Sequence, residues 1–79
     1  MSRLYTVDRA MEIAELLDIT PTELCRRAGL SVTTISRAKN RNNELTFKTV
    51  LAICQAAAIT LADFYAGIDH ILQLEKKEE

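Results

Sequence analysis

The sequence predicts an all-α domain of five short helices, followed by a short extra helical segment at the C-terminal end. Three observations carry that expectation. The chain has 79 residues and is 48% hydrophobic, but it holds only two Gly and one Pro. That is enough apolar content for one modest core and too few turn residues for an all-β fold. An apolar residue, then Ser or Thr, three residues and a second apolar residue recur at Ile19-Thr20 to Leu24, Leu30-Ser31 to Ile35, Leu45-Thr46 to Val50 and Ile59-Thr60 to Phe64. Each is an N-cap hydroxyl flanked by a hydrophobic staple, which together satisfy and orient a first helical turn. Between these points the apolar residues return at helical spacing.

The elements follow in order. The first helix is expected over Val7 to Asp18, with Val7, Ala10, Met11, Ala14 and Leu17 as its stripe and Ile13 and Leu16 widening it. Thr20-Pro21-Thr22-Glu23 is a capping box with Pro at the first helical position, so the second helix is expected over Pro21 to Ala28. It buries Leu24, Cys25 and Ala28. Gly29 stands where a left-handed residue ends a helix. The third helix is expected over Val32 to about Lys39, with few apolar positions: Ile35, Ala38 and, at its start, Val32. The fourth covers Phe47 to Ala57, with Val50, Leu51, Ile53, Cys54 and Ala57 inward. Thr60 and Asp63 form a box with a shorter acid, opening a fifth helix over Leu61 to Ala66 that stops at Gly67. Ile68 to Leu74 makes the short extra helix, with Ile68, Ile71 and Leu72 on one face. Glu75 to Glu79 reads as a solvated, frayed tail.

The formal net charge of −1 hides its distribution. Residues 1–19 carry −2, residues 20–48 carry +4 and residues 49–79 carry −3. The positive middle, not the sum, bears on partners. Cys25 and Cys54 form no C-x-x-C pair and read as small buried hydrophobes in a reducing compartment rather than as a disulfide. The N-terminal Met-Ser-Arg-Leu-Tyr lacks a long apolar stretch ending at a small-residue cleavage site. No apolar run approaches the roughly 18 residues of a membrane span. A cytoplasmic protein without membrane contact is the expectation.

Catalysis finds little support. His70 is the one histidine, and it lies near the tail. No Cys/His cluster has metal spacing, and Gly29 and Gly67 cannot make a glycine-rich phosphate loop. Asp8, Glu12, Glu15 and Asp18 follow helical spacing and read as a solvated face. No cofactor, metal or small-molecule ligand is expected.

The second and third helices form a helix-turn-helix unit over residues 20–39. Small Cys25 suits a close helix crossing, Gly29 supplies the turn, and Ile35 locks the third helix to the core. That third helix is polar for its length. Val32, Thr33, Thr34, Ser36 and Arg37 offer small side chains, hydroxyls, a methyl-bearing group and a guanidinium, which a helix entering the DNA major groove uses. Arg26, Arg27, Arg37, Lys39, Arg41 and Lys48 surround it, with Asn40, Asn42 and Asn43 in the loop beyond.

These residues resemble the Cro/C1-type helix-turn-helix domains of phage repressors and bacterial regulators. The similarity runs from about Arg9 to Gly67, through Thr20-Pro21-Thr22-Glu23-Leu24-Cys25, Ala28-Gly29-Leu30-Ser31, Thr34-Ile35-Ser36-Arg37, Leu45 to Leu51 and Ile59 to Phe64. It implies a compact, five-helix, lambda-repressor-like domain over residues 1–67, with 68–79 as a helical segment and charged tail. It also implies binding to double-stranded DNA as a homodimer. By position, base edges fall to Val32, Thr33, Ser36 and Arg37. Phosphates fall to Thr20, Ser31, Thr34 and Asn40 and the loop after it, with Asn42 and Asn43; Lys39 and Arg41 add basic contacts. The chain departs from the family pattern in three places. Pro21 replaces a frequent Gln, Ala14 and Lys39 replace an Arg–Glu pair, and Arg41 replaces a frequent Gly.

A sequence-specific transcriptional regulator, a repressor, is the leading expectation. The alternative is a protein-interaction module, such as an antitoxin or anti-repressor partner, on the same fold. Ile68, Ile71 and Leu72 are left with two roles, dimer contact or packing on their own domain.

Overall fold

The computed structural model describes residues 3–78, the side chains of 77 and 78 excepted. Five helices follow one another: α1 (Tyr5–Leu16), α2 (Pro21–Arg27), α3 (Thr34–Asn40), α4 (Phe47–Ala57) and α5 (Leu61–Glu78). No strand occurs among the described residues. The all-α, five-helix expectation is met.

α1 is the central strut, packing against all four other helices. Its apolar stripe delivers Val7, Ala10, Ile13 and Ala14 to the core. There they meet Leu24, Cys25, Ile35, Val50, Ile53, Cys54 and Phe64. Phe64 and Leu24 are fully enclosed, and burial of such side chains stabilises by roughly 1.5–3 kcal/mol each. Both cysteines are buried and free, as expected. Burial pushes the Cys54 thiol above the ordinary range, against the opposing charge of Arg9.

Three of the four expected hydroxyl caps form. Thr20 Oγ1 accepts from Glu23 N at 3.1 Å, Thr46 Oγ1 from Thr49 N at 3.3 Å and Thr60 Oγ1 from Asp63 N at 3.0 Å. The reciprocal arm of the box closes at Thr60, whose N–H reaches Asp63 Oδ2 at 3.4 Å. The Glu23 carboxylate turns instead to Arg26 at 2.9 Å and Arg27 at 3.5 Å.

Ser31 behaves differently, and the expected start of the third helix at Val32 is corrected. Thr34 N and Thr34 Oγ1 both donate to Ser31 O, at 3.0 and 2.7 Å. Ser31 Oγ pairs with Thr33 Oγ1 at 3.1 Å rather than capping an amide. Residues 32 and 33 therefore form a turn, and α3 begins at Thr34.

Helices α1 to α4 end alike. Asp18, Gly29, Asn42 and Ala58 are left-handed, with φ of 58°, 71°, 57° and 57°. In each case the following amide reaches back five residues: Ile19 N to Ala14 O, Leu30 N to Cys25 O, Asn43 N to Ala38 O and Ile59 N to Cys54 O. These are Schellman closures. They move the end of the first helix from the expected Asp18 to Leu16. They also place the turn after α3 at Asn42, one residue beyond the Arg41 that stands where the family often has glycine. Ala14 is fully buried and Lys39 exposed, so the lost family ion pair strands no charge.

The expected stop at Gly67 and the separate short helix beyond it are corrected. α5 runs without a break from Leu61 to Glu78, turned 106° from α4. Gly67 serves close approach: a Cβ there would land on the Arg9 guanidinium. The frayed tail is corrected as far as it is described, because Glu75 lies in α5 and accepts from Tyr5 Oη at 2.8 Å, with Arg3 at 3.5 Å. Residue 79 lies outside the described residues. Ile71 is buried and Ile68 packs against the core, so these two pack on their own domain, whereas Leu72 is half-buried.

Candidate nucleic-acid interface

The interface is built on α2, the Gly29 turn and α3. Gly29 is needed for its backbone: a Cβ there would meet nothing within 4 Å, but its φ of 71° is one that L-residues rarely adopt. The turn swings α3 onto α1 and α2, with Ile35 buried and Ala38 half-buried as its anchoring face. Ser36, Arg37, Lys39 and Asn40 project outward on the opposite side.

Val32 is 43% exposed in the turn that leads into α3. Thr33 and Thr34 are half-buried in the same bend, and Ser31 and Thr20 are exposed. The hydroxyls are locally engaged. Thr34 Oγ1 holds Ser31 O at 2.7 Å and Ser36 Oγ donates to Thr33 O at 3.1 Å. Each retains lone pairs, so these bonds orient the hydroxyls without exhausting them.

Apart from Lys76 on α5, which forms no ion pair among the described residues, the cations with described side chains divide into two groups. Arg3, Arg9, Arg26 and Arg27 form ion pairs with Asp8 and Glu75, Glu12, and Glu23. Arg37, Lys39, Arg41 and Lys48 form none among the described residues. All four are exposed and lie on α3, the loop after it and the first turn of α4. Arg26 and Arg27, included in the basic set on sequence, are thus partly neutralised by Glu23.

A shallow groove of about 290 Å³ runs between the α3 turn and the start of α4. Ser31, Thr33, Thr34, Arg37, Arg41 and Asn43 line one part of it, and Thr46 and Thr49 close it from α4. The structure thereby brings together six of the sequence-selected residues. Val32, Ser36, Lys39, Asn40 and Asn42 lie on the exposed surface outside the groove, as does Thr20 at the start of α2. Thr46 and Thr49 were not selected on sequence. Thr46 was legible there only as a helix cap, which gives no hint of the groove it faces.

Glu44 also lines the groove, but its carboxylate is committed elsewhere. Its Oε1 accepts from Thr6 N at 3.0 Å and Thr6 Oγ1 at 2.8 Å, and its Oε2 from Tyr5 N at 3.2 Å. Leu4, at the N-cap position of α1, makes no side-chain cap. Glu44 supplies that cap from across the fold, which explains why α1 starts at Tyr5 rather than at the expected Val7.

Other sites offer less. No group of three or more His, Cys, Asp or Glu among the described residues could hold a metal ion. No single helix among them is long and apolar enough to cross a membrane. No curated protein matches the chain, and no solved structure matches it. The family profile for the Cro/C1-type HTH DNA-binding domain matches residues 8–69. That span covers α2, the Gly29 turn, α3 and the cationic groove, and the chain therefore belongs to the Cro/C1-type helix-turn-helix DNA-binding family.

Proposed function

We propose that this chain is a transcriptional repressor that binds a specific double-stranded DNA site as a homodimer in the cytoplasm, with α3 in the major groove. Membership of a DNA-binding family supports the general role. The observation that carries the finer reading is that Arg37, Lys39, Arg41 and Lys48, which form no ion pair among the described residues, are exposed on α3, in the loop after it and in the first turn of α4. Phosphate contacts release counterions and supply affinity, while base-edge contacts supply sequence choice.

In this reading Arg37, Ser36, Thr33 and Val32 face base edges. The guanidinium is suited to guanine and the Val32 methyls to thymine. Thr20, Ser31, Thr34, Lys39, Asn40, Arg41, Asn42 and Asn43 face the sugar–phosphate backbone. The helix-turn-helix unit over 20–39 is the DNA-binding element of a domain spanning 1–67, with 68–79 as its C-terminal helical segment and charged tail. No small-molecule ligand enters the scheme.

Selection of bound sites from random duplex DNA tests it. A defined motif is expected to enrich, and Arg37→Ala is expected to weaken binding to that motif by about 1–3 kcal/mol and relax one position. Failure to enrich any motif would favour a protein partner, for which Leu16, 75% exposed beside Glu15 and Asp18, offers a surface.

A further inference from the structure

We infer that Glu44 and Thr6 are positioning residues for DNA binding, which pin the α3–α4 loop to the N-terminus of α1 and so set where Arg41 and Asn43 stand. The inference rests on the DNA-binding role proposed above and adds two residues that lie outside the recognition unit.

The loop from Arg41 to Thr46 is polar apart from Leu45. Its first half closes α3 through Asn43 N to Ala38 O at 2.9 Å. Its second half is held by a closed ring of bonds with α1. Glu44 accepts from Tyr5 N, Thr6 N and Thr6 Oγ1, and Thr6 Oγ1 accepts in turn from Leu45 N at 2.7 Å. Thr6 thus donates to one loop residue and accepts from the next. The carboxylate sits on orphan amides at the positive end of α1, where an anion is favoured.

This arrangement has a consequence for binding. A loop held in place before DNA arrives loses less conformational freedom on binding than a free one. Arg41 and Asn43 line the same groove as Glu44, so the ring fixes the segment that carries them. Simple electrostatics makes the opposite forecast. An acidic residue beside phosphates repels them, so its neutralisation should tighten binding.

The two accounts therefore differ in sign. Glu44→Gln removes the charge and weakens the cap. Thr6→Val keeps shape and charge but removes the hydroxyl, and Thr6→Ser restores it. Operator affinity, its salt dependence and amide exchange at Asn43 and Leu45 are measured on the full chain, at a temperature where each variant is folded. Glu44→Gln and Thr6→Val are each expected to bind about three- to tenfold more weakly and to exchange faster at both loop amides. Thr6→Ser is expected to match the original chain. Binding by Glu44→Gln as tight as the original or tighter, or equal binding by Thr6→Val and Thr6→Ser, overturns the inference. Should Glu44→Gln fail to fold, the Thr6 pair decides alone. If the unaltered chain binds no duplex, it is the DNA-binding role that fails.

Discussion

The guanidinium of Arg9 occupies the space that a side chain at position 67 would need. It lies across the start of α5, donating through Nε to Phe64 O at 2.9 Å and through Nη2 to Asp63 O at 3.0 Å. Nη1 pairs with Glu12, and the cation sits 6.0 Å from the centre of the Phe64 ring. One arginine thus ties α1 to α5, and a glycine inside α5 makes the approach possible.

Gly67→Ala is accordingly expected to destabilise. In an ordinary helix interior the same change stabilises by roughly 0.5–1 kcal/mol. Here the new methyl displaces Arg9 and its bonds to two carbonyls, for a net loss of about 1–2 kcal/mol. Denaturant unfolding of the double-mutant cycle with Arg9→Ala checks the cause. In the Arg9→Ala background Gly67→Ala should turn neutral or stabilising. The same loss in both backgrounds would break the link between the two residues.

Ala58 and Gly29 make a mirrored pair. Ala58 holds φ 57° with a side chain, whereas Gly29 holds φ 71° without one. Relieving the first by Ala58→Gly should stabilise by about 0.5–1 kcal/mol, and Gly29→Ala should destabilise by about 1 kcal/mol although its Cβ would meet open space. Thermal unfolding reads both signs, and a gain from Gly29→Ala would refute the turn's dependence on its backbone angle.

The Tyr5 hydroxyl predicts a pH effect. Its hydrogen bond to Glu75 raises the Tyr5 pKa, with burial and the Glu75 charge adding and Arg3 opposing. The folded state therefore favours the protonated phenol. That contribution is complete below the ordinary tyrosine value of about 10 and is lost as pH rises through the higher folded value. Between about pH 9 and about pH 11, the original chain should lose more stability than Tyr5→Phe. Parallel unfolding profiles would contradict the assignment.

Much of the fold was legible because its signals are local. The Thr20, Thr46 and Thr60 caps each act on an amide three residues on. Gly29 ends α2 by a rule that needs no distant partner. Asp18, Asn42 and Ala58 do the same work with residues that only weakly announce it. Gly67 shows the limit of local reading: the same residue type that stops α2 sits inside α5, where it leaves room for Arg9. The cap of α1 was likewise hidden, since Glu44 comes from another part of the chain. In the candidate interface the cations of α3 and its loop were legible as a basic run. That Arg26 and Arg27 drop out of the basic set was not legible, because it depends on Glu23 turning to them rather than to its own helix cap.

In the proposed complex Lys39, Arg41 and Lys48 neutralise phosphates, while Arg37 reads a base. The most direct test is the salt dependence of duplex affinity for the original chain and for Lys39→Gln, Arg41→Gln and Lys48→Gln. Each substitution is expected to lower the log–log slope by about one for every phosphate contact it removes, with the fold unchanged by circular dichroism. A slope that stays the same in all three variants would contradict it.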